Sequence, residues 1–262
     1  MTRDLRRLLI TPGRLPAGPS AGAELELELD RQELHYLTRV LRLRPGDRFA
    51  VVDGAGSLWT ALLGPADQAL LEQPPSSPLA FEPPPAPPLQ LAVALPKRDA
   101  DVLLRMACEL GVDRFTPLKA QRSVAADSLK PERAEAILRE AVEQCERLWQ
   151  PQLESLRPAA ELLGARPPGG SGRGLLCTAR QPGLALLAQA LECLGDPPGA
   201  SEPLTVAIGP EGGWTPGEEA LALAHGWQAV SLGSTILRCS TAAVSAAGLL
   251  SHWRAQQIGA PS

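Results

Sequence analysis

Aromatic side chains are scarce in this chain: three Phe, one Tyr and five Trp supply 3% of its 262 residues. That scarcity argues against a binder of single strands built on successive stacking platforms. Histidine is scarcer still, and His35, His225 and His252 lie too far apart to share one helix face. Five cysteines, at positions 108, 145, 177, 193 and 239, form no Cys-x-x-Cys pair. Together these absences predict no zinc site, no metal requirement and reduced, buried thiols. Long apolar runs are missing too, since none approaches the roughly 18 residues that a membrane-spanning helix requires. The N-terminal segment Met1–Ile10 is basic, but its apolar run is too short for a signal peptide. The cytoplasm is the expected location.

Positive charge is also in short supply, with a net charge of −4 and a pI of about 5.5. On its face this disfavours a nucleic-acid partner. The charge is uneven, however. Residues 1–48 hold nine Arg (3, 6, 7, 14, 31, 39, 42, 44 and 48) against seven acids. Four of those acids alternate as Glu24, Glu26, Glu28 and Asp30, the pattern of one strand's solvent face. The arginines at 3–7 and 39–48 are then left to form a local positive patch. On charge alone, a docking patch and a merely solvated face stay equally open.

What the chain has in abundance is proline, and eight of the fifteen residues from Pro74 to Pro88 are Pro. Such a stretch favours extended polyproline II and reads as a semi-rigid linker. It divides residues 1–73 from residues 89–262. The first part reads as a small β-barrel. Leu25, Leu27 and Leu29 alternate with acids, Arg44–Gly54 reads as turn, strand and turn, and Leu58–Leu63 continues a meander. Arg31–Leu41 has a helical period.

The second part alternates strand and helix. Strands are expected at Leu89–Leu95, Phe115–Leu118, Leu175–Thr178, Leu204–Ile208 and Ala229–Leu232. Helices are expected at Asp99–Leu110, Pro131–Trp149, Leu184–Leu194, Pro216–His225 and Thr241–Trp253, with Gly169–Gly174 a flexible loop. That alternation predicts an α/β domain, a mostly parallel sheet with helices on both faces.

Two segments carry the chemistry. Ile208-Gly-Pro-Glu-Gly-Gly213 follows an apolar strand and precedes a helix. Glycines beyond a strand's carboxyl end let backbone approach a ligand closely. The segment lacks the Lys-Ser/Thr of a phosphate-binding P-loop, and Glu211 would repel a phosphate. A neutral or cationic ligand, such as the sulfonium of S-adenosylmethionine, suits it better. A plain tight turn is the alternative for that loop taken alone. The second segment, Leu232-Gly-Ser-Thr-Ile-Leu-Arg-Cys-Ser-Thr-Ala242, again joins a strand end to a helix start, with Ser240 and Thr241 as N-cap candidates. Leu175-Leu-Cys-Thr178 is generic, and counts only as a third strand end of the same pocket.

Together, IGPEGG(W)TPGE and LGSTILRCSTA strongly resemble the bacterial uridine-N3 methyltransferases of small-subunit ribosomal RNA, members of the SPOUT superfamily. The resemblance covers nearly the whole chain. His35-Tyr-Leu-Thr-Arg-Val-Leu-Arg42, Gly46-Asp47 and Asp53-Gly54 look like the family's N-terminal PUA-like barrel. Glu109-Leu-Gly-Val112, Pro117, Arg122-Ser123 and Glu143-Gln-Cys-Glu-Arg147 look like its catalytic-domain segments. Two positions depart from the pattern: Met106 stands where the family usually has Lys, and Ser240 where it commonly has Glu.

The resemblance implies a SPOUT-type, trefoil-knotted, mostly parallel sheet preceded by the PUA-like barrel. It also implies S-adenosylmethionine as cofactor, small-subunit ribosomal RNA on the 30S subunit as substrate, and a homodimer. The cofactor would be held by Leu176 and Thr178, by Ile208, Gly209, Glu211, Gly212 and Gly213, and by Leu232, Gly233, Ile236, Leu237 and Thr241. The small residues from Ala242 to Gly248 and the Arg-bearing helix 131–149 offer surfaces for the second subunit. Removing the N3 proton of uridine puts negative charge on the flanking carbonyl oxygens, and a fixed cation stabilises that charge. Arg238, in an otherwise apolar loop, is the candidate for this catalytic role. Arg39 and Arg42, three apart on a helical segment, would grip phosphate from one face, with Arg7 beside them. Arg122 and Arg147 are expected to reach RNA or the partner, with a surface salt bridge as the alternative for each. Three rival readings stand: a methyltransferase of another RNA, a non-catalytic RNA-binding assembly factor, and a nucleotide-dependent α/β enzyme. The missing Lys-Ser/Thr counts against the last.

Overall fold

The computed structural model describes residues 5–15, 25–124, 129–167, 173–179, 181–194 and 202–258. The expectations placed on Arg3, Glu24 and residues 169–172 lie outside them. The chain divides into two compact units, Met1–Pro84 with Val142–Gln150, and Pro85–Ala141 with Pro151–Ser262. The division is therefore discontinuous, unlike the single break expected at the prolines.

The first unit contains β1 (Arg7–Leu9), β2 (Glu26–Glu28), α1 (Arg31–His35), β3 (Arg48–Val52), β4 (Ser57–Leu63), β5 (Gln68–Leu71) and β6 (Ala80–Phe81). Its sheet runs β1-β3-β4-β5-β2, with β6 pairing on β4. Part of the proline-rich stretch thus forms a strand, at a position where only Ser57 and Leu58 need partners. Leu27 and Leu29 are buried while Glu26 and Glu28 face water, as the period-two pattern predicts. They join Leu37, Phe49, Val51, Trp59 and Leu71 in one core. Asp30 caps α1, accepting from the backbone N–H of Gln32 and Glu33, while Glu33 returns a bond to the Asp30 N–H.

The helix expected over Arg31–Leu41 is not uniform. Tyr36–Val40 forms a π-turn, in which the Leu41 N–H reaches the Tyr36 carbonyl at 2.9 Å. The Thr38 hydroxyl donates to the Leu34 carbonyl at 2.7 Å, competing for the acceptor of a regular turn. Arg42 lies beyond this turn with φ of 60°. The i, i+3 face expected for Arg39 and Arg42 is accordingly absent.

The second unit contains β7 (Leu89–Val93), α2 (Ala100–Glu109), β8 (Arg114–Lys119), α3 (Pro131–Cys145, whose last turn belongs to the first unit), β9 (Gln152–Leu153), β10 (Arg157–Pro158), α4 (Ala159–Leu163), β11 (Gly174–Cys177), α5 (Leu187–Glu192), β12 (Leu204–Ile208), α6 (Pro216–Ala224), β13 (Gln228–Val230) and α7 (Cys239–Ile258). Helix α3 stops at Cys145, short of the expected Trp149, because Glu146 adopts a left-handed φ of 62°. The chain then turns so that Gly56 donates to the Leu148 carbonyl and Gln150 donates to that of Gly54.

The second sheet is parallel throughout, in the order β10-β8-β7-β12-β11-β13, with β9 on β8. Strands β7 and β12 are buried along their whole length, as expected of continuous apolar runs covered on both faces. On one face Leu162, Leu163, Trp214, Ala222 and Trp227 pack over Ala92, Leu118, Leu176 and Ala207. On the other, α7 lies against β7, β12, α2 and α5. Ala243, Ala246 and Ala247 of α7 are fully buried in this packing. Close helix–sheet approach within one chain thus takes up these three alanines, while Ser245 on the same helix is exposed and Ala242 and Gly248 are half-buried. Gln90, buried in β7, donates to Thr116 at 2.7 Å and accepts from Thr205 at 2.9 Å. Thr116 in turn donates to Glu154 at 2.7 Å, so these polar groups are satisfied inside the sheet.

Arg254 at the end of α7 pairs with Asp113 and donates to the Gly111 carbonyl at 2.8 Å, both acid and base being 13% exposed. Removing one partner of a largely buried pair leaves the other uncompensated. Arg254→Ala should therefore lower the unfolding free energy by about 2–4 kcal/mol. Arg105→Ala, which breaks an exposed pair with Glu109, should cost less than about 0.5 kcal/mol. Denaturant titration of both variants checks the contrast, and equal losses would refute it.

Candidate functional site

Because the strands of the second sheet run parallel, their carboxyl ends share one edge. There β11 ends at Cys177, β12 at Ile208 and β13 at Val230. The segments that follow, Thr178–Ala179, Gly209–Trp214 and Ser231–Leu237, enclose a cleft of about 200 Å³. This is where open α/β sheets place their ligands.

Trp214 anchors the central loop. Its indole is 5% exposed and donates to the Cys177 carbonyl at 3.0 Å. The ring lies so close to Gly209 that a Cβ there would come within 3.0 Å of it. A side chain at Gly209 would thus need the indole to shift by a few tenths of an ångström. The loop turns through a bond from the Gly213 N–H to the Pro210 carbonyl at 2.8 Å, with Gly213 at φ of 71°. Thr215 and Glu218 then form a capping box, with Pro216 opening α6. Glu218 also accepts from the Gln121 N–H at 2.9 Å.

Arg122 follows β8 and donates from one nitrogen to the carbonyls of Gly212 and Trp214, at 3.1 Å each. It lines the cleft rather than projecting freely toward RNA or a partner, so this guanidinium clamps the loop. Glu219, from the first turn of α6, also lines the cleft. It accepts from the Thr178 hydroxyl, and from the Gln181 amide at 2.8 Å.

Two thiols complete the walls. Burial pushes Cys177 up to about 12. Burial, and then the nearby charge of Glu211, push Cys239 up to about 12 as well. The Cys239 thiol donates to the Ala94 carbonyl at 3.3 Å. Both are neutral, polarisable surfaces at any pH near 7.

Of the residues proposed from sequence, Thr178, Ile208, Gly209, Glu211, Gly212, Gly213, Leu232, Gly233, Ile236 and Leu237 line the cleft. Leu176 does not: it is fully buried beneath α4 and α6. Thr241 is exposed, and neither it nor Ser240 is the N-cap, because α7 already begins at Cys239. Arg238 adjoins the lining residues Leu237 and Cys239 and is exposed, although the loop before it is largely apolar. Among the described residues its guanidinium makes no ion pair, with Glu211 or any other acid.

Arg39 and Arg42 are exposed on the first unit. Arg7 is not available in the same way: its side chain is 11% exposed and pairs with Glu146 at 3.1 Å. Arg147 is half-buried. Cys177, Trp214, Glu219, Thr235 and Cys239 were missed from sequence. Only Trp214 carried a local signal, as a large aromatic between a glycine loop and a capping threonine.

The raised thiols give a direct test. At pH 8 the thiolate fraction of Cys177 and Cys239 is negligible and grows only as pH approaches 12. Iodoacetamide at pH 8 should label the exposed Cys193 and leave these two unmodified until the protein unfolds. Peptide mass spectrometry reads the outcome, and rapid labelling in the cleft would contradict it.

Comparison with known proteins agrees with this geometry. A family profile described as an RNA methyltransferase domain matches residues 83–251, and one described as an RNA methyltransferase PUA domain matches residues 29–67. The chain is 37% identical over 237 residues to a ribosomal RNA small subunit methyltransferase E from Synechocystis, covering 87% of this chain and 74% of that one. It is 30% identical over 239 residues to the protein of that description from Mycobacterium bovis, covering 87% and 88% of the two chains. The crystal structure of such a protein from Neisseria gonorrhoeae, bound to S-adenosyl methionine, is 26% identical with a TM-score of 0.73, covering 95% of this chain and 97% of that one. The fold is thus SPOUT-like, with a PUA-like unit at its N-terminal side. By profile, by identity over most of its length and by fold, the chain belongs to the ribosomal RNA small subunit methyltransferase E family of RNA methyltransferases.

Proposed function

We propose that this protein methylates N3 of a uridine in small-subunit ribosomal RNA, uracil 1498 of the 16S RNA, acting in the cytoplasm on the 30S subunit. S-adenosylmethionine is the cofactor, and the cleft at the ends of β11, β12 and β13 is the observation that carries the reading. Its walls fit that molecule. Two glycine-bearing loops expose backbone donors and acceptors, the two thiols are uncharged, and Glu211 and Glu219 are acids suited to a cation. When bound, the cofactor supplies an electrophilic methyl group.

The chain supplies the rest. Thr178, Gly209 and the loops Glu211–Gly213 and Leu232–Leu237 would hold the cofactor, with Trp214 and Arg122 fixing the shape of the central loop. Arg238, beside the cleft and without an ion pair among the described residues, would stabilise the negative charge that develops on the uracil oxygens. Arg39 and Arg42 would bind phosphate. Arg7, Arg122 and Arg147 are lesser candidates for RNA, Arg7 and Arg122 being already held by Glu146 and by two carbonyls. A trefoil knot through the loops around the cleft, and a homodimer, belong to the same reading. Ile236, 64% exposed at the cleft, supports the homodimer.

Arg238→Ala should lower kcat by about 10²–10³, the usual cost of removing one oxyanion donor. Affinity for S-adenosylmethionine should change less than about twofold, the signature of an interaction made only in the transition state. Single-turnover rates on unmodified small subunits and calorimetry separate the two quantities, and parallel loss of both would reject the role.

Arg39→Ala and Arg42→Ala should each weaken RNA binding and reduce the slope of log affinity against log salt by about one. Fluorescence anisotropy across a salt series checks this, and an unchanged slope would remove these residues from the RNA interface.

A further inference from the structure

The charges around the cleft are few and uneven. Among the described residues, its lining contains two carboxylates, Glu211 and Glu219, and one guanidinium, Arg122. That guanidinium is directed to the carbonyls of Gly212 and Trp214 and does not pair with either acid. The thiols of Cys177 and Cys239 add no charge near neutrality. Glu219 differs from Glu211 in how firmly it is held. It is half-buried, and both carboxylate oxygens are engaged, one by the Thr178 hydroxyl at the end of β11 and one by the Gln181 amide. It is rooted in the first turn of α6, next to the capping box that begins the helix. An acid that is fixed and partly screened from solvent acts on a nearby charge more strongly than a mobile exposed one.

In S-adenosylmethionine the charges of the α-ammonium and carboxylate of the methionyl part cancel one another. What distinguishes methyl donor from product is the sulfonium. On transfer, the carbon–sulfur bond breaks with its electron pair left on sulfur, the nitrogen that has lost its proton forms the new bond to carbon, and a neutral thioether remains. The ligand thus goes from a net charge of +1 to zero while the surrounding acids do not change.

Resting on the cofactor assignment above, we propose that Glu219, held by Thr178 and Gln181, makes this pocket select the charged methyl donor over its neutral product S-adenosylhomocysteine. The acid acts on the charge that disappears in the reaction, so it favours loading of the donor and departure of the product. It is a specificity-determining residue, not a participant in the transfer itself.

The test is isothermal titration of the full-length protein with S-adenosylmethionine and, separately, with S-adenosylhomocysteine. For Glu219→Gln the dissociation constant for the donor should rise about tenfold, while that for the product changes less than twofold. Gln181→Ala, which frees one carboxylate oxygen, should show the same preference at smaller amplitude. In the unmodified protein, raising potassium chloride from 50 to 500 mM should weaken donor binding more than product binding, a measurement that needs no variant. Loss of both affinities in parallel would overturn the proposal, since Glu219 would then touch a group that the two ligands share or merely support the loop. No change in either would overturn it as well. If the unmodified protein bound neither ligand, the cofactor assignment itself would fall.

Discussion

The contact between Trp214 and the backbone around it is the constraint on which the candidate site depends. One indole closes tightly against Gly209 and donates to the carbonyl at the end of β11. The loop after β12 is thereby tied to the neighbouring strand before it enters α6. Arg122 completes the arrangement from outside by binding the carbonyls of Gly212 and Trp214. A loop rich in glycine loses much backbone entropy on ordering, and these contacts offset that loss. Glu218 serves both sides, capping α6 and receiving the Gln121 N–H from the segment that carries Arg122.

Strand order turns this local anchoring into a cleft. Strand β12 enters the sheet between β7 and β11, so the ends of three strands separated widely in sequence come to one edge. Burying β7 and β12 on both faces demands apolar side chains throughout, and the exceptions, Gln90 and Thr205, bond to each other. The sheet interior is therefore rigid, and chemistry is left to the loops beyond it. Short alanines on α7 allow that helix to lie close against β7 and β12, which brings Cys239 to the Ala94 carbonyl and sets where the last loop ends.

In the first unit a different compromise holds. The π-turn at Tyr36–Val40 and the left-handed Arg42 interrupt what would otherwise be one regular helix. Such interruptions are costly in isolation and persist where surrounding packing, here Leu37 in the core, determines them. Their effect is to display Arg39 and Arg42 in different directions from those of a helical face. Arg7, in contrast, is drawn into the unit's own structure by Glu146, although nothing in its sequence neighbourhood distinguishes it from the other arginines.

Local rules account for what was legible in the sequence. The alternation of strand and helix, the leucines alternating with acids around β2 and the two glycine loops each depend on residues within a few positions of one another. So does the family resemblance, which rests on contiguous motifs. The tertiary structure alone decided which of these met. Leu176 and Cys177 are neighbours in sequence, yet one lies under α4 and α6 and the other lines the cleft. Glu219 became a wall of the cleft only because α6 packs beside the end of β11, and residues 142–150 joined the first unit through bonds to Gly54 and Gly56 and through the pairing of Glu146 with Arg7. The neighbours of Arg238 in sequence are largely apolar, whereas its exposure depends on where α7 starts. Periodicity and capping are properties of one segment, while burial and ion pairing depend on long-range partners that no local pattern specifies.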